Sequence, residues 1–105
     1  MLFRSYSVVD MFCGHGVGKV FHDEPNVMHC GVKGTGPIME EGMIFTIEPM
    51  INMGKKDGVI LSNGWTAVTC DHAWSAQFEH SMGVTKDGVE VFTYSPKGMD
   101  KPPYK

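Results

Sequence analysis

Two glutamates and one glycine-framed histidine are the residues of this chain best placed to do chemistry. From Met43 to Met53 the odd positions Met43, Phe45, Ile47, Pro49, Ile51 and Met53 are apolar, while the even positions include Thr46, Glu48 and Asn52. Period-2 alternation of this kind predicts a strand with one face on a core and the other free for chemistry. The segment Ala76–Thr85 repeats the design with parity reversed. Ala76, Phe78, Met82 and Val84 share one face with His80, while Gln77, Glu79, Ser81 and Thr85 share the other. A carboxylate in the middle of such a polar face is either solvated or aimed into a site. Two of them on strands of matching design, with a histidine upstream, set a metal site beside the solvated reading.

That histidine is His15, in the segment CGHGVGKVFH at Cys13–His22. Gly14, Gly16 and Gly18 surround it, so backbone can approach whatever it contacts. The segment is not a phosphate loop, because Cys13 stands where the leading glycine belongs and Val20 where Ser or Thr must follow the lysine. Nor is it a dinucleotide fingerprint, since the glycine spacing is wrong and no strand–helix unit surrounds it. His15 and His22 are too far apart for a zincin helix. A glycine-rich loop with incidental histidines remains the alternative. If His15, Glu48 and Glu79 act together, two carboxylates and an imidazole suit a first-row divalent ion. Such an ion would turn water into a nucleophile while a carboxylate took the proton, the chemistry of a metallohydrolase.

Other candidates are weaker. His29 and Cys30 lack a second pair at zinc-finger spacing and read as ordinary buried residues. Ser7, Ser75 and Ser81 have no nucleophile-elbow context.

The elements that must position these residues are short. Pro49 lacks a donor and predicts a bulge or an edge immediately after Glu48. Lys86-Asp87-Gly88 reads as a hairpin turn into Val89–Thr93, and Trp65–Cys70 as a third strand. The first dozen residues could hold the end of a helix, but no stretch shows several turns of helical periodicity. Residues 1–94 therefore read as a mostly β unit, and the proline-rich residues 95–105 as a loosely ordered tail.

Bulk properties exclude several classes of function. The chain has 105 residues, 42% of them hydrophobic, with a formal net charge of −3. Lys and Arg are scattered, so no footprint for nucleic acid or an anionic membrane exists. No apolar run approaches a membrane span, and the first residues lack a signal-peptide core. Cys13, Cys30 and Cys70 are odd in number and widely spaced. That favours reduced thiols inside a cell over a disulfide framework.

Several of these segments together resemble the type 1 methionine aminopeptidases. They are GHGVGKVFH at Gly14–His22, EPNV at Glu24–Val27, EEGMIFTIEPMINMGKK at Glu40–Lys56 and SAQFEHSMGVT at Ser75–Thr85. NGWT at Asn63–Thr66 stands where that family has DGW. The type 2 enzymes differ around the first glutamate. The resemblance runs from about Tyr6 to Thr93.

It implies the α/β (α+β) pita-bread fold, of which this region would be the C-terminal half, mostly antiparallel β. It implies removal of N-terminal methionine from nascent proteins or methionyl peptides in the cytoplasm, with two divalent ions in the complete site, cobalt, manganese, iron or zinc. By the same resemblance His15, Glu48 and Glu79 bind metal, with Glu79 bridging. Glu48 handles the proton of the attacking water, and His22 contacts substrate near the scissile amide. Phe21 and Trp65 line the methionine pocket. Two further aspartate ligands and another substrate-contacting histidine belong upstream of the matched region, so at most one ion is expected on these residues. A non-catalytic binding module of the same fold, or a catalytically dead remnant, is the competing expectation.

Overall fold

The computed structural model describes residues 2–3 and 5–101. Within them every regular element is a β-strand, and every pairing is antiparallel. One four-stranded sheet runs in the order β1 (Leu2–Phe3), β2 (Tyr6–Val8), β6 (Met50–Asn52), β9 (Ser75–Gln77). A five-stranded sheet runs β11 (Gly88–Val91), β10 (His80–Thr85), β5 (Ile44–Ile47), β3 (Gly14–Gly16), β4 (Asp23–Val27). The strands β7 (Gly58–Ile60) and β8 (Ala67–Thr69) form a separate ribbon.

The two long strands expected from the alternation are each cut in two. Residues 43–53 leave the five-stranded sheet after Ile47 and join the four-stranded sheet at Met50. Residues 75–85 make the reverse passage between Gln77 and His80. The passages lie side by side, because His80 pairs with Ile47 and Gln77 pairs with Met50. Between those pairs the ladder is interrupted, and Glu48-Pro49 faces Phe78-Glu79. Pro49 cannot donate to a ladder, which is the local reason for the break.

The β10–β11 hairpin forms as expected, with Thr85 paired to Gly88. The start of the chain does not hold a helix: residues 2–3 and 6–8 are paired strands, with Phe3 opposite Tyr6. Ser5 turns between them at a φ of 71°. Met1 and Arg4 lie outside the described residues. The strands β3 and β4 were not foreseen. Pro25 sits inside β4, which is tolerated because β4 is the outermost strand and its register slips opposite His15 and Gly16. In the expected tail, residues 95–101 make local turn bonds, such as Ser95 N–H to Asp100 Oδ1 at 2.7 Å. Residues 102–105 lie outside the described residues.

The expectation of an apolar face on a core is reversed over much of 43–53. Phe45 is buried, but Ile47, Ile51 and Met53 are exposed, whereas Thr46 and Asn52 are 2% and 1% exposed. Hydrogen bonds account for this: Asn52 Nδ2 donates to the Lys55 carbonyl at 2.9 Å, and Thr46 is bonded on two sides. Partners of this kind offset the cost of burying polar groups, although Asn52 Oδ1 has none among the described residues.

Candidate metal centre

His15 is held by close backbone approach on both sides. A Cβ added at Gly14 would overlap the Thr46 carbonyl oxygen of β5, and one added at Gly16 would overlap the Glu24 carbonyl oxygen of β4. The two glycines thus let β3 sit tightly between its neighbours. Gly18 has nothing within 4 Å of the same position, so the third glycine plays no part in this packing.

The ring of His15 is oriented by its own turn, since Nδ1 lies 2.9 Å from the Gly16 carbonyl oxygen. A carbonyl only accepts, so Nδ1 carries a proton, and a singly protonated ring then presents its lone pair at Nε2. That nitrogen stands 3.5 Å from Oε1 of Glu48. Both side chains are mostly buried, at 11% and 13% exposure. Glu79 completes the group: one ligand atom from each of His15, Glu48 and Glu79 falls within 4.8 Å of the others. The three come from β3 and from the two interrupted passages. Glu48 and Glu79 meet because both occupy the gap in the ladder.

An acceptor nitrogen facing a carboxylate oxygen needs a cation or proton between them. Two ligands each roughly 2.1 Å from a shared ion stand on the order of 3–3.5 Å apart, the separation found here. One imidazole and two carboxylates are also a donor set suited to a divalent first-row ion. The residues fit such a group.

Three further residues support Glu48, and the sequence did not mark them for that role. Thr46 Oγ1 donates to Glu48 Oε1 at 2.9 Å and accepts the His15 N–H at 3.0 Å. Gln77 Nε2 donates to Oε2 at 3.2 Å. The Glu48 N–H, which has lost its strand partner, donates to His29 Nε2 at 2.8 Å. His29 is therefore not an ordinary buried residue, and both it and Cys30 are half-buried rather than buried. His29 thus supplies the acceptor for an N–H that lies beyond the end of β5. The alternation could have pointed to Thr46, because it is the nearest same-face neighbour of Glu48.

Of the remaining expected site residues, the structure brings two to His15. The His22 ring centroid lies 4.4 Å from that of His15, and the Phe21 centroid 5.8 Å. Phe21 and His22 also pack edge to face at 4.4 Å. Phe21 is 71% exposed. Trp65 lies in the β7–β8 turn and is 88% exposed. No aromatic contact among the described residues joins it to the histidines. Asp10, the nearest acid to His15 in sequence, is engaged by Lys56. The Lys56 ammonium lowers its pKa, as the carboxylate raises that of Lys56.

A histidine and two glutamates close enough to hold a metal ion are a donor set that a metallopeptidase could use, and residues 2–86 match the model of metallopeptidase family M24. The chain belongs to that family. Within it, the similarity is to methionine aminopeptidases. That of Rickettsia prowazekii (strain Madrid E) is 55% identical over 102 residues, covering 96% of this chain and 39% of that protein. That of Escherichia coli (strain K12) is 48% identical over 90 residues, covering 86% and 34%. The crystal structure of the Rickettsia prowazekii enzyme superposes with a TM-score of 0.82 at 54% identity, over 85% of this chain and 36% of that one. The Thermotoga maritima enzyme gives 0.80 at 39% identity, over 83% and 35%.

This chain thus spans between a third and two-fifths of the length of the relatives it matches. Its fold is part of the pita-bread fold of those enzymes, as expected. The described part consists of the antiparallel strands and no helix. Membership in a metallopeptidase family carries with it use of a divalent metal. No helix among the described residues is long and apolar enough to cross a membrane.

Proposed function

We propose that this chain carries one half of the active site of a methionine aminopeptidase, with residues 1–94 as the C-terminal half of its catalytic domain. One observation carries the reading. His15 Nε2 and Glu48 Oε1 face each other at 3.5 Å, with Glu79 in the same group, as ligands of a shared ion would. A divalent ion there, cobalt, manganese, iron or zinc, acidifies water and polarises a carbonyl when bound.

The family resemblance supplies the roles of this chain's residues, and the positions of all of them except Trp65 support it. His15, Glu48 and Glu79 would hold the ion, and Glu79, the most exposed of the three, would be the one to bridge to a second. Glu48, fixed by Thr46 and Gln77, accepts the proton of the attacking water. His22, beside His15, contacts the substrate near the scissile amide. Phe21 and Trp65 offer apolar surface to an unbranched thioether side chain, the feature that distinguishes methionine. The substrates are the N-termini of nascent proteins or methionyl peptides. Three unpaired cysteines support a reducing compartment, the cytoplasm.

The test is calorimetric titration of the purified chain with manganese or cobalt, followed by a methionyl-peptide hydrolysis assay. We expect weak binding of a single ion, lost in Glu48→Ala, and no measurable turnover. Three ligands hold one ion, and half a pocket leaves substrate misplaced by distances that already cost about a hundredfold in rate. Absence of any ion binding would refute the metal reading. Two tight sites, or turnover abolished by Glu48→Ala, would show instead that this half suffices.

A further inference from the structure

We propose that Thr46 is a positioning residue that sets the separation of His15 and Glu48, an inference that rests on the metal reading above. The backbone does not set it unaided. His15 and Glu48 come from β3 and from the passage after β5, and the only in-register pair between β3 and β5 is Gly16 with Phe45. Glu48 lies beyond the end of β5, where the ladder is interrupted.

The Thr46 hydroxyl bridges the gap. It accepts the His15 backbone N–H at 3.0 Å and donates to Glu48 Oε1 at 2.9 Å. A hydroxyl has one proton, and the carboxylate can only accept, so the direction of both bonds is fixed. Thr46 is 2% exposed, so water cannot readily replace either partner. The oxygen it holds is the one that faces His15 Nε2. A single side chain therefore anchors the main chain beneath one ligand and the reacting end of the other. Partners of this kind, which touch ligands rather than metal, typically change metal affinity by about 10–100-fold when removed.

The experiment uses the full chain and three variants, Thr46→Ser, Thr46→Ala and Thr46→Val. Manganese affinity is measured by titration. In the metal-free chain, hydrogen exchange is followed at the His15 amide. The Val9 amide, bonded to the Met50 carbonyl at 3.1 Å in the other sheet, reports any general loosening. We expect Thr46→Ser to bind manganese much as the wild type does, because it keeps the hydroxyl. Thr46→Ala and Thr46→Val should bind about 10–100-fold more weakly, with faster exchange at His15 but not at Val9. The proposal is overturned if alanine and valine bind like the wild type, or if serine loses as much as alanine. Should the valine variant not fold, serine and alanine still differ by the hydroxyl alone and carry the comparison. If the wild-type chain binds no manganese, the metal reading falls separately. His15 exchange then decides Thr46: unchanged exchange in Thr46→Ala sinks the anchoring role, and accelerated exchange sustains it.

Discussion

Substituting Gly14 by alanine perturbs the site without touching any ligand. The new methyl would overlap the Thr46 carbonyl oxygen and stand 3.0 Å from its carbonyl carbon and 3.2 Å from Oγ1. Ordinary carbon contacts are about 3.5–4.0 Å, so β3 and β5 must part by roughly 1 Å. The two nearest of these atoms are backbone, which cannot swing aside as a side chain would. Overpacking of this kind costs about 1–3 kcal/mol, offset in part by the ~0.4–1 kcal/mol gained from a less flexible unfolded chain. For a chain of this size each kcal/mol lowers the unfolding midpoint by about 4–8 °C. At the middle of both ranges the net cost is about 1.3 kcal/mol, a fall of about 5–10 °C. The same movement stretches the His15 N–H to Thr46 bond, so manganese affinity should fall as well. Gly18→Ala is the internal control: nothing lies within 4 Å of its added Cβ, and only the entropic gain applies. Thermal unfolding followed by circular dichroism, with manganese titration of both variants, decides the matter. A Gly14→Ala chain that melts and binds like Gly18→Ala would refute the claim that close approach of β3 to β5 shapes the site.

Two further outcomes are expected. His29→Ala removes the acceptor of the Glu48 N–H and should weaken manganese binding by about tenfold or more; titration giving an unchanged affinity would mean that Glu48 is held without it. Asp71 accepts N–H groups from Lys55 at 2.7 Å and Ala73 at 3.1 Å, which hold its carboxyl below the usual carboxylate range. A depressed carboxyl contributes stability above its unfolded pKa, about 3.9, and loses it as pH falls through the lower folded value. Urea midpoints of wild type and Asp71→Ala should therefore differ near neutral pH and converge at strongly acidic pH. A gap that persists there would show that Asp71 acts through packing instead.

The site was more legible than the packing around it. Glu48 and Glu79 stood out because each interrupts an alternating strand on its polar face, and Pro49 announced the break beside the first. The same alternation misled about burial. It assumed that apolar positions face a core, but Ile47, Ile51 and Met53 are exposed, while Thr46 and Asn52 are buried by hydrogen bonds. The helix end expected near the start is instead a pair of short strands. Local pattern over a dozen residues is too weak to outweigh pairing with Asn52 and Ile51 of β6.

By itself the sequence determined the chemistry on offer: an imidazole between glycines, two carboxylates on matched strands, and a proline that must end a ladder. These follow from residue type and spacing, which act locally. Only the tertiary structure decided that the two strands break opposite each other, so that carboxylates 31 positions apart share one gap with His15. It alone gave the Glu48 N–H to His29, and joined the His15 N–H and Glu48 Oε1 through the Thr46 hydroxyl. Register between distant strands sets those partnerships, and register is fixed by the pairing of whole sheets rather than by any residue's own preference.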